Sequence, residues 1–234
     1  IKQSKKTNPK ANVNTHKQTL KRLKEFARRK KQRIDFDTID LDFYHDFVDF
    51  LTHDANYALN TIGKQIQNLK VFLNAATERG LNTNMAYKSK RFKKVSEEVD
   101  NIYLNEKELD EMYQLDLSTN QRLERVRDLF IVGCWTGLRF SDFSNIKREN
   151  IDGDFIEIGT QKTGETVVIP IHWTIKKILN KYKGKYPNSL PPAISNTKMN
   201  DYLKEVAQQV ESLQNTFSKG ITKGGTKRFT STEK

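Results

Sequence analysis

The chain holds a single cysteine, Cys134, in 234 residues. One thiol excludes an internal disulfide framework and any cysteine-based zinc cluster, and such scarcity fits a reducing, intracellular setting. Long apolar runs are missing too. The longest is the handful of residues around Phe130 to Trp135, far short of the roughly 20 that cross a bilayer, so no membrane partner is expected. The opening Ile1-Lys2-Gln3-Ser4-Lys5-Lys6 is basic but has no apolar segment behind it, and no secretory signal is expected. The first residue is not Met, so the chain reads as processed or as a fragment. Histidines are few and scattered: His16, His45, His53 and His172 form no His-x-x-x-His pair and have no acid triad beside them. No metal ligand set and no cofactor is expected. A phosphate-cradling glycine loop is also lacking, and the spacings support no Ser-His-Asp chemistry.

What the chain has is positive charge, 41 Lys and Arg against 29 Asp and Glu, for a net +12. Its distribution is uneven. Residues 1–33 carry 13 basic groups against the single Glu25, 34–100 sum to −3, 101–172 to −5 and 173–234 to +8. Two basic ends flank an acidic middle. Such blocks concentrate potential where a phosphate backbone can lie. The alternative is a solvated tail or a localisation signal. At 35% hydrophobic and 10% aromatic residues the chain can bury one core or two small ones.

Helical periodicity dominates the first half. Thr15 to Lys31 reads as a basic amphipathic helix with Leu20, Leu23, Phe26 and Ala27 on one face, and Lys17, Lys21, Lys24 and Arg28 on the others. Asp40 to Asp54 turns Phe43, Phe47, Phe50 and Leu51 inward. A third helix, Asn60 to Arg79, buries Ile62, Ile66, Leu69, Phe72, Leu73 and Ala76 and stops at Gly80. A short basic segment, Tyr87 to Lys94, follows, and an acidic link after it marks a domain boundary. Beyond it, Asn105 to Glu108 has capping-box spacing and starts a helix to about Leu115. Arg122 to Trp135 reads as a buried helix ended by Gly137, with Cys134 and Trp135 in the core, and Phe140 to Ile146 as a short helix. Phe155 to Ile158 and Thr166 to Pro170 are strand-like and joined by a Gly- and Thr-containing turn. His172 to Tyr182 and Thr197 to Leu213 return to helix. Ser218 to Lys234 reads as an exposed or mobile tail. The expected class is mainly α with a small antiparallel β-sheet.

One string stands out: Thr136-Gly137-Leu138-Arg139-Phe140-Ser141-Asp142, followed about twenty residues later by Thr160-Gln161-Lys162-Thr163 in the hairpin. Gly137 permits a sharp turn, so Arg139 emerges where two helices meet, with Asp142 one turn on, where it can hold the guanidinium. Arginine suits two phosphate oxygens at once. Each residue also has a plainer reading: Arg139 as the structural partner of Asp142, Asp142 as a cap of the short helix, and Lys162 as an exposed turn lysine.

This string, the capped helix before it and the hairpin resemble the tyrosine recombinase (phage integrase) family of mobile elements, and the likeness extends over the whole chain. The resemblance implies a helical core-binding, SAM-like domain over residues 1–95, a linker over 96–103 and a partial α+β catalytic domain over 104–234. It implies metal-free exchange of DNA strands through a 3′-phosphotyrosyl intermediate. By motif match Arg139 grips the scissile phosphate, Lys162 protonates the 5′-oxygen leaving group, and Asp142 is the acidic support. The family's His-x-x-Arg box and nucleophilic tyrosine have no match: His172-Trp173-Thr174-Ile175 lacks the arginine, and Tyr202, the last tyrosine, precedes the place of the box. The chain is therefore expected to bind DNA without cleaving it.

The expected partners are double-stranded DNA and other recombinase protomers, in the bacterial cytoplasm with the nucleoid. Lys17, Lys21 and Arg28 of the first helix, Lys64, Gln67 and Asn68 of the third, and Lys88, Arg91 and Lys93 after it are the candidate DNA contacts. For each of Lys64, Gln67, Asn68, Lys88, Arg91 and Lys93 a merely solvated face is the competing reading. A regulatory DNA-binding protein that uses the same fold without chemistry remains the alternative to a strand-transfer enzyme.

Overall fold

The structure, a computed structural model, describes residues 10–233; the basic opening 1–9, and with it the start of the expected first domain, lies outside the described residues. In chain order the elements are α1 (Lys10–Lys30), α2 (Leu41–Asp49) running into a π-helical turn (Phe50–Asp54), α3 (Leu59–Thr77), α4 (Glu106–Gln114), α5 (Gln121–Thr136), α6 (Phe140–Phe143), β1 (Ile151–Asp152), β2 (Phe155–Gly159), β3 (Thr166–Pro170), α7 (Trp173–Tyr182), α8 (Asn196–Ala207), β4 (Thr216–Lys223) and β5 (Thr226–Glu233). Mainly α with small antiparallel sheets, the class matches the sequence expectation. The chain divides into two compact units, Ile1–Asn101 with Ser218–Thr232, and Ile102–Phe217 with Glu233–Lys234.

In the first unit Asp40 starts α2 by accepting the Phe43 N–H at 2.8 Å. The helices meet over aromatic side chains: the Phe26 ring lies 5.4 Å from Phe43, 5.4 Å from Phe47 and 5.5 Å from Phe50. Leu51, Ile62, Ile66, Leu69 and Leu73 close the core. Each such side chain contributes about 1.5–3 kcal/mol through burial. The buried stripe of α1 departs from expectation. Leu20 is 37% exposed, whereas Thr19 is fully buried. The reason is its neighbours on α3: the Thr19 hydroxyl lies 2.7 Å from Gln65 Oε1 and accepts from Asn68 Nδ2 at 2.9 Å. A leucine there would take away the Thr19 hydroxyl from both the Gln65 and the Asn68 amide.

The segment after α3 is tied down rather than free. A Cβ on Gly63 would stand 1.9 Å from the Val95 carbonyl oxygen, so only glycine lets this segment cross α3. Asn60 then brackets Glu97, its amide donating to the Glu97 carbonyl at 3.0 Å and its Oδ1 accepting the Glu97 N–H at 3.0 Å. The expected linker thus begins already bonded to the bundle.

In the second unit Asn105 and Glu108 form the expected reciprocal cap at 2.8 and 3.0 Å. Helix α5 is buried along Leu123, Val126, Leu129 and Val132 and packs against α4, α7 and α8. Strands β1, β2 and β3 form an antiparallel sheet in that order, with Ile156 opposite Ile169 and Ile158 opposite Val167. Ile156 and Ile158 face the core while Phe155 and Glu157 face out. Helix α8 stops at Ala207, earlier than its periodicity suggests. Gln214 explains this: its Nε2 donates to the Ala207 and Val210 carbonyls at 2.9 and 3.1 Å, capping the helix end while Val210 and Leu213 stay buried. A fully buried Asp128 fastens α7 to α5. It takes Arg127 Nε at 2.8 Å, Lys181 Nζ at 2.6 Å and the Tyr182 hydroxyl at 2.8 Å. Burial and Asp128 push the Tyr182 phenol well above its ordinary pKa.

The expected C-terminal tail is instead a β-hairpin, β4 and β5, that groups with the first unit. Its turn residues Gly224 and Gly225 have φ of +57° and +75°, a backbone suited to a tight two-residue hairpin and to glycine. Composition alone suggested mobility because Gly and Thr mark turns and strands alike. No helix among the described residues is long and apolar enough to cross a membrane.

Candidate functional site

Arg139 owes its position to Gly137. Helix α5 ends when Gly137 enters the left-handed region, φ +65°, and gives its N–H to the Gly133 carbonyl at 3.0 Å. Two residues later Arg139 caps α6 from an extended backbone, its carbonyl accepting the Asp142 N–H at 2.8 Å. The guanidinium is exposed and has no hydrogen bond or ion pair among the described residues. Gly133 matters too, since a Cβ there would sit 2.7 Å from the Phe143 ring and push α6 away from α5.

Asp142 does not hold Arg139, as the spacing suggested. It is 1% exposed, and its Oδ1 accepts the backbone N–H of Gln161 at 3.0 Å. Gln161 Nε2 adds a second link, to the Ser141 carbonyl at 3.2 Å. The carboxylate therefore joins the arginine-bearing helix to the turn that carries Lys162. Its Oδ2 is buried without a hydrogen-bond partner among the described residues. The competing reading, a cap of α6, fails as well, because α6 has no side-chain cap.

The Lys162 turn is built to hold its shape. Thr160 N donates to the Glu165 carbonyl at 2.8 Å, Gly164 N to the Thr160 carbonyl at 2.9 Å, and the Thr160 and Thr163 hydroxyls lie 2.7 Å apart. Gly164, at φ +75°, closes it. Lys162 is exposed at the tip and engages no other side chain among the described residues.

A contact with no signal in the residue spacing braces the same turn of α5. The Trp135 ring lies parallel on His172, centroids 3.6 Å apart, and so ties the end of α5 to the start of α7. Trp135 and Cys134 are half-buried rather than fully in the core. Burial pushes the Cys134 thiol up to about 11.

The last three tyrosines of the chain, Tyr182, Tyr186 and Tyr202, are all engaged. Tyr182 donates to Asp128, Tyr186 packs against Tyr182, and Tyr202 lies beneath the Arg122 guanidinium at 4.2 Å.

The candidate DNA contacts all fall in the first unit. Lys17, Lys21 and Arg28 form one exposed stripe along α1, with Lys24 and the exposed Leu20 among them, over an open groove of about 340 Å³. Lys64 and Gln67 are exposed on α3, and Lys64 is near α1: burial, together with charges that include Lys64, holds His16 below its ordinary pKa. Asn68 is the exception. It is 3% exposed and spends its amide on Thr19 and on the Thr15 carbonyl, so it faces the core. Lys88, Arg91 and Lys93 point outward from a segment pinned by the buried Tyr87 and Phe92.

Comparison with known proteins bears on both units. Residues 1–95 match the phage integrase SAM-like domain. The chain superposes on a lambda integrase (residues 75–356) dimer bound to a COC′ core site, with a TM-score of 0.68, 15% identity, and coverage of 89% of this chain and 74% of that one. The chain opens on a phage integrase SAM-like domain and shares the fold of this integrase. A lambda integrase tetramer bound to a Holliday junction gives a TM-score of 0.65 at 17% identity, covering 89% of this chain and 62% of that one. For XerH site-specific recombinase bound to a palindromic difH substrate, in a post-cleavage complex, the values are 0.58, 15%, 85% and 62%. At these identities the structural likeness is one of fold. The chain spans about three fifths to three quarters of the length of these structures. No curated protein sequence matches it.

Proposed function

We propose that this chain binds duplex DNA and contributes Arg139 and Lys162 to site-specific strand transfer, acting with other protomers on the same DNA. The observation that carries the reading is the Asp142 to Gln161 bond, 3.0 Å, which couples the helix led by Arg139 to the turn bearing Lys162. A guanidinium left unengaged at the mouth of a left-handed turn offers paired donors to the two non-bridging oxygens of a phosphate. As a tyrosine oxygen adds to phosphorus, Arg139 stabilises the extra charge. The bond from phosphorus to the 5′-oxygen then breaks, and that oxygen takes its proton from Lys162, leaving a 3′-phosphotyrosyl link. Tyr182, Tyr186 and Tyr202, already engaged within their unit, do not supply the nucleophile. By itself the chain binds DNA and forms no covalent adduct with nicked duplex. The DNA in the solved structures of similar fold supports the reading, as does the α1 stripe.

Titration of duplex DNA at rising salt tests it. Affinity should fall steeply, because each neutralised phosphate adds about −0.9 to the slope of log affinity against log salt. Reversing charge at Lys17, Lys21 and Arg28 together should weaken binding to all sequences alike. A flat salt response, or no binding at low salt, overturns the proposal.

A further inference from the structure

The β4–β5 hairpin carries Lys219, Lys223, Lys227 and Arg228, with no acidic residue before Glu233 at its end. Lys223, Lys227 and Arg228 are exposed, and none of the four forms an ion pair among the described residues. The hairpin is nevertheless held firmly on the first unit. Lys223 bridges Ala58 in antiparallel fashion, and Gly224 N donates to the Tyr57 carbonyl at 3.4 Å. Thr222 N donates to both carboxylate oxygens of Glu97, at 2.9 and 3.1 Å. A Cβ on Gly224 would come within 2.7 Å of Asn56 Oδ1, so the glycine turn fits closely against this loop.

The same loop meets α1. The Tyr57 hydroxyl accepts from Arg22 Nε, and Arg29 pairs with Asp54. An open groove of about 470 Å³ runs from Arg28 and Arg29 to Asp54 and Ala55, two residues before the hairpin's anchor at Tyr57. Arg28, at the end of the α1 stripe, and the hairpin tip therefore adjoin one loop of one unit.

We propose that the β4–β5 hairpin is a second DNA-contacting element of the first unit, its tip cations extending the α1 stripe along the phosphates of the same duplex. The inference rests on the duplex-binding reading above. Cations left unpaired on a rigidly docked ribbon release counterions on meeting phosphate without first breaking internal ion pairs, and their anchoring lowers the ordering cost of binding.

The test compares three forms of the whole chain by duplex titration across salt: unchanged, Lys223→Gln with Lys227→Gln and Arg228→Gln, and Lys183→Gln with Lys185→Gln and Lys198→Gln. The last removes equal charge from exposed positions of the second unit. Removing the hairpin cations should reduce the salt slope by about 2 to 3 and weaken binding roughly tenfold or more at 0.1 M salt, with the control near the unchanged chain. If the hairpin variant keeps the affinity and slope of the unchanged chain, or merely equals the control, the proposal is overturned. If the unchanged chain itself fails to bind, the duplex-binding reading falls first, and the two failures are thereby told apart.

Discussion

The two hairpins of this protein show what a turn can be built to do. The β2–β3 turn carries one lysine and spends its hydroxyls, its backbone and the buried Asp142 on fixing it. The β4–β5 turn is made of two glycines, which let its backbone lie against the Asn56 and Tyr57 loop, and the cations beside it form no ion pair among the described residues. The first arrangement specifies where a single nitrogen is. The second specifies where a patch of charge is, and tolerates freedom in each side chain. Proton transfer to a leaving oxygen depends on hydrogen-bond reach, whereas phosphate attraction acts over a Debye length of about 10 Å at 0.1 M salt.

Chemistry should break the comparison most sharply. In a chain extended by a His-x-x-Arg box and tyrosine, Lys162→Ala should slow cleavage by about 10² to 10⁴, and a 5′-sulfur substrate, whose leaving group needs no proton, should restore it. Arg139→Ala should be equally slow and not restored, since charge at phosphorus still lacks its donor. Neutralising Lys223, Lys227 and Arg228 should leave cleavage at saturating DNA unchanged. Equal rescue of Arg139→Ala and Lys162→Ala would sink the two roles.

Next in size is the Asp142 link. Asp142→Ala removes a charge-assisted bond of about 1.5–3 kcal/mol, so hydrogen exchange at the Gln161 amide should quicken by roughly 10- to 100-fold. Global stability to urea should change less, because the substitution also removes the buried Oδ2 that has no hydrogen-bond partner among the described residues. Unchanged exchange at Gln161 would mean that the turn holds itself.

The smallest effects separate the two glycine turns. Gly164→Ala meets open space and pays only for a left-handed backbone, about 1–2 kcal/mol. Gly224→Ala adds a close approach to Asn56, so it should also undock the hairpin and expose Lys223 and Lys227 to trypsin. Similar tryptic patterns for both variants would show that the docking is loose.

Much of this protein was legible in its sequence wherever the controlling interaction is local. The Asn105 and Glu108 cap, the left-handed Gly137 that delivers Arg139, the Lys162 hairpin and the apolar faces of α2 and α3 all depend on residues within a few positions of one another, and local spacing encodes them. The charge blocks were equally plain. Tertiary structure decided the rest. Thr19 and Leu20 are neighbours on a helix, and only Gln65 and Asn68 opposite them settle which turns inward; the same contact moves Asn68 from candidate DNA contact to core. Asp142 bonds a backbone N–H nineteen residues away instead of the arginine three residues back. Glu97 meets Thr222 from the far end of the chain and turns an expected tail into a docked hairpin. Periodicity reports which residues share a face. It carries no record of the partner across the gap, and a buried polar group goes where that partner satisfies it.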